Sequence, residues 1–367
     1  MTTSIASSRL LSRSMRTAAA VTAACLLAAC AGSPGAAPPG GGLSPAGAHR
    51  SLRGASRDSG SETLFVGDNY GEVDAYDVTT NSPPAAPLFR VKAKGTIYQG
   101  SSMAMSGGDL SVASYDNKGH YYDEVWSPAP TSKKSKAKYP CKGPPKLNFL
   151  YFPPIAASAA ALFGLDTYEE LGGISQFYYP FPSGKCPKLA SSTFYDAAVA
   201  AGGYGIATIF ASQSGNLYVA YYTSNGTGAI DEFPVGSTTP TTLGLLPSEF
   251  DFVAGGGIGN LAVDSLGHLI VTNASPDCNV RVFARDFRSS YLSLLSTTLI
   301  GGCTGGGFGV AGIALDASEG RLFIGDYYNE LVEVMTYDAS TGTGSYAYDF
   351  SEPYRPASLA VEPVDTF

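Results

Sequence analysis

One short strand phrase recurs six times along this chain. It stands as Leu64-Phe65-Val66-Gly67-Asp68, Leu110-Ser111-Val112-Ala113-Ser114, Leu162-Phe163-Gly164-Leu165-Asp166, Leu217-Tyr218-Val219-Ala220-Tyr221, Leu269-Ile270-Val271-Thr272-Asn273 and Leu322-Phe323-Ile324-Gly325-Asp326. Its first residues are spaced by 46, 52, 55, 52 and 53 positions. A strand phrase returning at that period marks a β-propeller, whose copies close into one ring. The repeat therefore overrides the two domains that 367 residues would otherwise suggest. The 44 glycines and 24 prolines fit many short strands joined by tight turns.

Each repeat holds several strands. The fifth reads Asn260 to Asp264, a turn at Ser265-Leu266-Gly267, His268 to Asn273, then Asn279 to Phe283, with a fourth strand at Tyr291 to Leu295. The sixth reads Gly312 to Asp316, a turn through Glu319-Gly320, Arg321 to Asp326, then Glu330 to Val334. Both predict an antiparallel meander of four strands per blade. The first repeat opens on its second strand, Thr63 to Asp68, and the chain ends on a first strand, Ala357 to Glu362. Paired, they complete one blade and leave no open edge between the ends of the ring. The expectation is an all-β, six-bladed propeller over residues 61–367, closed by pairing of the C-terminal strand with the N-terminal blade.

The pattern Gly-(Ile/Leu)-Ala-(Val/Leu)-Asp, turn, Gly-x-Leu-(Phe/Ile)-(Ile/Val), then Asn-x-(Val/Leu), resembles the NHL-repeat type of propeller. It is carried well by residues 258–284 and 311–338, fairly by 204–234 and 61–78, and poorly by 98–180. The chain is also similar to the wider group of NHL-like and gluconolactonase-like six-bladed propellers. That resemblance implies the fold. For function it implies a non-catalytic module that binds a ligand or protein or, as the alternative, a metal-dependent lactonase or related hydrolase. The gluconolactonase-like enzymes hold a divalent cation on the channel with Glu, Asn and Asp from separate blades, and their local signatures do not occur here in order.

Residues 1–29 read as an export signal. Arg9, Arg13 and Arg16 precede the apolar stretch Thr17 to Ala29, which is too short for a permanent span. Leu27-Ala28-Ala29-Cys30 resembles a bacterial lipobox, so Cys30 is the expected lipidation site and the cell envelope the expected location, at either membrane. Residues 30–60, rich in Ala, Gly, Pro and Ser, read as a flexible tether. Cys141, Cys186, Cys278 and Cys303 remain in the body, an even number in an exported chain, and suggest disulfides Cys141–Cys186 and Cys278–Cys303. Residues 127–146 read as an insertion with five prolines and six lysines, able to meet an anionic partner or to be a solvated loop.

The net charge of −8 argues against nucleic acid as partner. An unknown envelope protein, peptide or saccharide is the expected partner, and the body is expected to be a monomer. No Gly-x-Ser-x-Gly elbow and no phosphate loop is present, so no catalytic residue is assigned. The fifth positions of the second strands are Asp68, Ser114, Asp166, Tyr221, Asn273 and Asp326. Propeller geometry is expected to bring them to one rim of the central channel. There Asp68, Asp166, Asn273 and Asp326 could hold Ca²⁺ or another hard cation, or a polar ligand, although no cofactor is required. Asp and Asn at such places also cap turns through their own backbone. Tyr70, Tyr222 and Tyr327 stand beside these positions. Their rings suit a sugar or peptide, and equally suit packing between blades.

Overall fold

The computed structural model describes residues 61–97, 100, 102–118, 120–142, 154–159, 161–166, 173–178, 192–195, 205–252, 256–273, 279–284, 290–299 and 310–362. The chain divides into Met1–Leu52 and Arg53–Phe367, and every described residue belongs to the second unit. Cys30, the tether, Cys186, Cys278, Cys303 and the side chain of Cys141 lie outside the described residues. Among those described, no helix is long and apolar enough to cross a membrane.

The fold is an all-β propeller of four-stranded antiparallel blades. Its strands, numbered along the chain, form six such sheets. The first runs β24 (Pro356–Glu362), β1 (Thr63–Asp68), β2 (Glu72–Asp77), β3 (Phe89–Lys92). The second runs β4 (Met103–Ser106), β5 (Asp109–Tyr115), β6 (Tyr121–Trp126), β7 (Tyr139–Lys142), and the third β8 (Ile155–Ala157), β9 (Ala161–Asp166), β10 (Gly173–Tyr178), β11 (Ser192–Tyr195). The fourth holds β12 (Gly205–Ala211), β13 (Leu217–Tyr222), β14 (Gly228–Phe233) and β15 (Thr241–Leu245). The fifth holds β16 (Ile258–Val263), β17 (Leu269–Asn273), β18 (Asn279–Ala284) and β19 (Ser293–Leu299). The sixth holds β20 (Val310–Leu315), β21 (Arg321–Asp326), β22 (Leu331–Asp338) and β23 (Thr343–Ser351).

The innermost strands touch in sequence around a ring: β24, β4, β8, β12, β16, β20 and β24 again. Ends meet in the first sheet, where β1 pairs with β24 from Thr63↔Glu362 to Gly67↔Ser358. Two details depart from the sequence reading. The fourth strand of the fifth sheet is Ser293–Leu299, while Tyr291 makes only an isolated bridge to Leu245. The Lys/Pro-rich stretch is a long connection that ends in β7, which pairs with β6 from Tyr122↔Lys142 to Val125↔Tyr139. The second and third sheets, where the repeat pattern is weakest, still have four strands each.

A common turn chemistry shapes the meanders. Asp68 Oδ1 accepts the N–H groups of Tyr70 and Glu72, both at 2.8 Å. Asp116 does the same for Lys118 and His120, and Asp264 for Leu266 and His268. Gly71 and Gly267 supply the fourth residue of their turns at φ 84° and 80°, a region that favours glycine. Apolar side chains then fill the seams between blades. Leu64, Val66, Phe323, Val332 and Leu359 form one such cluster and are all buried. Each contributes roughly 1.5–3 kcal/mol relative to exposure, which is what holds the sheets face to face.

Candidate functional site

The central channel is apolar. A cavity of about 120 Å³ is lined by Met103, Met105, Ile209, Phe210, Leu261 and Ile313 together with small residues of the inner strands. Of its polar members, Ser212 bonds within its own turn, and Gln213, Ser358 and Asn260 join blades. Ser358 Oγ accepts the N–H of Met103 at 3.0 Å, and Asn260 Nδ2 donates to the Ala311 carbonyl at 3.0 Å. No carboxylate or histidine lines it among the described residues. No group of three His, Cys, Asp or Glu side chains suited to a metal ion occurs among them either.

Among the described residues, the strand-end side chains expected at the rim do not line this cavity. Asp68 and Asp326 are buried inside their own turns. Asp326 Oδ1 accepts the N–H groups of Tyr328 and Asn329, and Oδ2 accepts Asn329 Nδ2 at 2.7 Å. Asn273 is buried and donates to the Glu249 carbonyl at 3.1 Å. Tyr222 takes the Ile258 N–H at 2.7 Å and packs on Phe252, so it serves the seam between the fourth and fifth sheets. Asp166 ends β9, and its side chain lies outside the described residues. The physical reason is position within the blade. A second strand lies one place out from the channel, so Asp68 and Asp326 meet their own turns first, while Asn273 and Tyr222 meet the neighbouring connection or blade.

Two of the expected residues, Tyr70 and Tyr327, do come together, in company the sequence did not suggest. The β1–β2 turn supplies Asn69 and Tyr70, the β21–β22 turn Tyr327 and Tyr328, and the β23–β24 connection Tyr354 and Arg355. Asn69 Nδ2 donates to Tyr327 Oη at 3.0 Å. Tyr70 meets Tyr354 edge to face at 5.4 Å, and Tyr327 meets Tyr328 likewise at 5.5 Å. Arg355 covers the Tyr327 ring at 5.2 Å, and Arg90 covers Tyr354 at 5.0 Å. Tyr70, Tyr328 and Tyr354 remain 64%, 50% and 38% exposed. The result is a fixed aromatic platform on one rim, at the seam where the ring closes. Tyr354 and Arg355 carry no repeat signal, and only the short Tyr-Arg-Pro run before β24 hints at them.

Beneath the platform sits a set of buried acids. Tyr76 Oη donates to Glu352 Oε2 at 2.8 Å, and Arg90 Nε donates to Asp74 Oδ1 at 2.6 Å while Nη1 pairs with Glu72 at 2.5 Å. Asp68 Oδ2 and Glu352 Oε1 have no hydrogen-bond partner among the described residues. Burial, together with the neighbouring Asp74 and Asp68 carboxylates, pushes the Glu352 carboxyl well above the usual range. Burial also raises Asp68. This pocket of acids positions the turns that carry the tyrosines.

Fold and platform define a β-propeller with an aromatic rim. The chain is similar in structure to the periplasmic gluconolactonase PpgL of Pseudomonas aeruginosa, at TM-score 0.55 and 13% identity over 82% of this chain and 99% of that one. It is likewise similar to a protein assigned as a 6-phosphogluconolactonase from Bacteroides fragilis, at TM-score 0.51 and 13% identity over 83% and 99%. The nidogen/laminin complex contains a third such chain, at TM-score 0.51 and 12% identity over 83% and 100%. Identities this low establish shared fold. No family model and no curated protein sequence matches the chain.

Proposed function

We propose that this chain is an exported, lipid-anchored six-bladed propeller of the bacterial envelope that binds a saccharide on its aromatic rim. The observation that carries the reading is the platform of Tyr70, Tyr327, Tyr328 and Tyr354, drawn from three separate turns and fixed by Asn69 and Arg355. Tyrosine rings stack on the apolar face of a pyranose, while their hydroxyls and the Arg355 guanidinium bond to its polar edge. The site gathers at ring closure, so a ligand there would bridge the first and last blades. Lipidation at Cys30 and location in the envelope rest on the lipobox-like Leu27-Ala28-Ala29-Cys30. The test is titration calorimetry of the protein against neutral and uronate-containing oligosaccharides. Tyr70→Ala combined with Tyr354→Ala is expected to weaken binding about tenfold or more at unchanged melting temperature. A panel that never binds, or binding indifferent to both substitutions, rejects the reading.

A second reading, a lactonase, draws support from the gluconolactonase and the protein assigned as a 6-phosphogluconolactonase among its fold neighbours. Against it stands the apolar channel, which offers no carboxylate for a metal or a general base among the described residues. Hydrolysis of glucono-δ-lactone with and without added divalent cations separates the two readings.

A further inference from the structure

The eleven lysines of the chain all fall between positions 92 and 188. From residue 189 onward there are five arginines against eighteen acids. An acidic protein thus keeps all its lysines in one stretch of its sequence. The densest part is the connection between β6 and β7, with Lys133, Lys134, Lys136 and Lys138 exposed and no acid from residue 127 to 142. Its base is held firmly. Ala129 is buried in the apolar cluster of Trp126, Leu110 and Met105, its N–H donates to the Gly108 carbonyl at 2.8 Å, and Ala137 packs against the same cluster. Thr131 N–H donates to Ser135 Oγ at 3.2 Å, which folds the tip back on itself. Beside the connection runs an open groove along β3, lined by Lys92, Lys133, the 59% exposed Leu88 and, toward the platform end, the Arg90–Glu72 ion pair.

The face on which this loop stands is fixed by topology. Strands alternate in direction, and β1 and β5 hold the same second place in their sheets. The end of β6 therefore lies on the face where β1 begins. Contacts agree: Gly108, which takes the Ala129 N–H, faces the carboxylate of Glu362, and Glu362 is paired with Thr63, the first residue of β1. The tyrosine platform, built on the β1–β2 and β21–β22 turns, belongs to the opposite face.

We propose that this face docks on an anionic phospholipid surface, the lysines meeting the headgroups and Leu88 dipping between them, so that the tyrosine rim points away from the membrane. The inference rests on the anchoring reading above, which brings the body to a bilayer without choosing the face that meets it. Each lysine near such a surface contributes about fivefold in affinity, and the attraction falls off within a Debye length. Exposed acids on the same face, Asp77 and Asp338, repel such a surface and confine the contact to the lysine loop.

The test uses the full chain carrying Cys30→Ser, so that no lipid anchor contributes. Sedimentation is measured with phosphatidylcholine vesicles, alone or with about 30% phosphatidylglycerol, at low salt and at about 0.5 M salt. The expected result is binding that requires phosphatidylglycerol, fades at high salt and drops at least about tenfold when Lys133, Lys134, Lys136 and Lys138 are all replaced by Gln. An unchanged melting temperature shows that the quadruple variant is folded. Binding without phosphatidylglycerol, or binding that survives the four substitutions, overturns the proposal. Capture by soluble polyphosphate with none by the vesicles also overturns it, in favour of a linear anionic polymer. Mass measurement of the mature wild-type protein reports separately whether Cys30 carries lipid, so the anchor and the docking face fail independently.

Discussion

Asp68 shows how one residue can look like a ligand and act as a turn. Its Oδ1 satisfies two backbone donors of the β1–β2 turn, and that turn presents Asn69 and Tyr70 to the rim. Asp68→Ala is expected to lower stability by about 2–3 kcal/mol, because two bonds to a charged acceptor are lost in a buried place. Asp68→Asn keeps an acceptor oxygen and should recover most of that loss in a thermal melt. Glu352 makes the pH prediction. Its folded pKa is raised above the ordinary 4.5 by burial, with the Asp74 and Asp68 carboxylates adding to the shift and Tyr76 opposing it. The folded state therefore holds a proton that the unfolded chain releases from about pH 4.5 upward. Stability from this group is complete below that pH and is lost as pH rises, at no more than about 1.4 kcal/mol per unit. Asp74, Asp68 and Tyr76 face it, and Arg90 acts on it only through its pairing with Asp74. Melting temperatures from pH 5 to 9 should fall for the wild type and fall less steeply for Glu352→Gln, the remaining slope coming from Glu62 and Asp68, which burial also raises.

At the scale of strands, close approach of the inner ones leaves little freedom in residue choice. A Cβ added at Gly312 in β20 would come within 2.8 Å of the Leu359 backbone nitrogen in β24. Gly312→Ala is therefore expected to cost about 1–3 kcal/mol, read from denaturant midpoints, since backbone on both sides must shift. Legibility in the sequence follows the same burial. β1 and β21 were readable to the residue because their apolar runs are buried on both faces. Outer strands were not. β23 is exposed along most of its length, and β7 hides in a Pro/Lys-rich stretch, so neither shows an apolar phrase. For the same reason the rim was half seen. Tyr70 and Tyr327 follow the repeat, whereas Tyr354 and Arg355 sit in a connection between blades and obey no period. Which turn faces which is a property of ring closure, and local pattern does not carry it.

On the scale of the whole molecule, closure itself is the element most open to test. β24 gives the first sheet its innermost strand, seals the channel between β4 and β20, and buries Leu359, Ala360 and Val361. Deleting residues 356–367 would expose the inner edge of β1 and the apolar seam that holds Phe323 and Val332. Four buried apolar residues, Ala357 among them, and six paired positions exceed the margin of about 5–15 kcal/mol that a folded domain usually has, once the neighbouring seam opens as well. The truncated chain should lose its cooperative thermal transition and elute as an expanded or associated species. A circular permutant keeps the same strands but removes the ambiguity. Joining residue 362 to residue 63 by a short linker, with new ends opened between β3 and β4, places β24 directly before β1 in the chain. It should fold, bind as the wild type does, and shift the point of fraying to the new ends. If the truncated protein melts as the intact one does, the ring is held by its seams alone and β24 is dispensable.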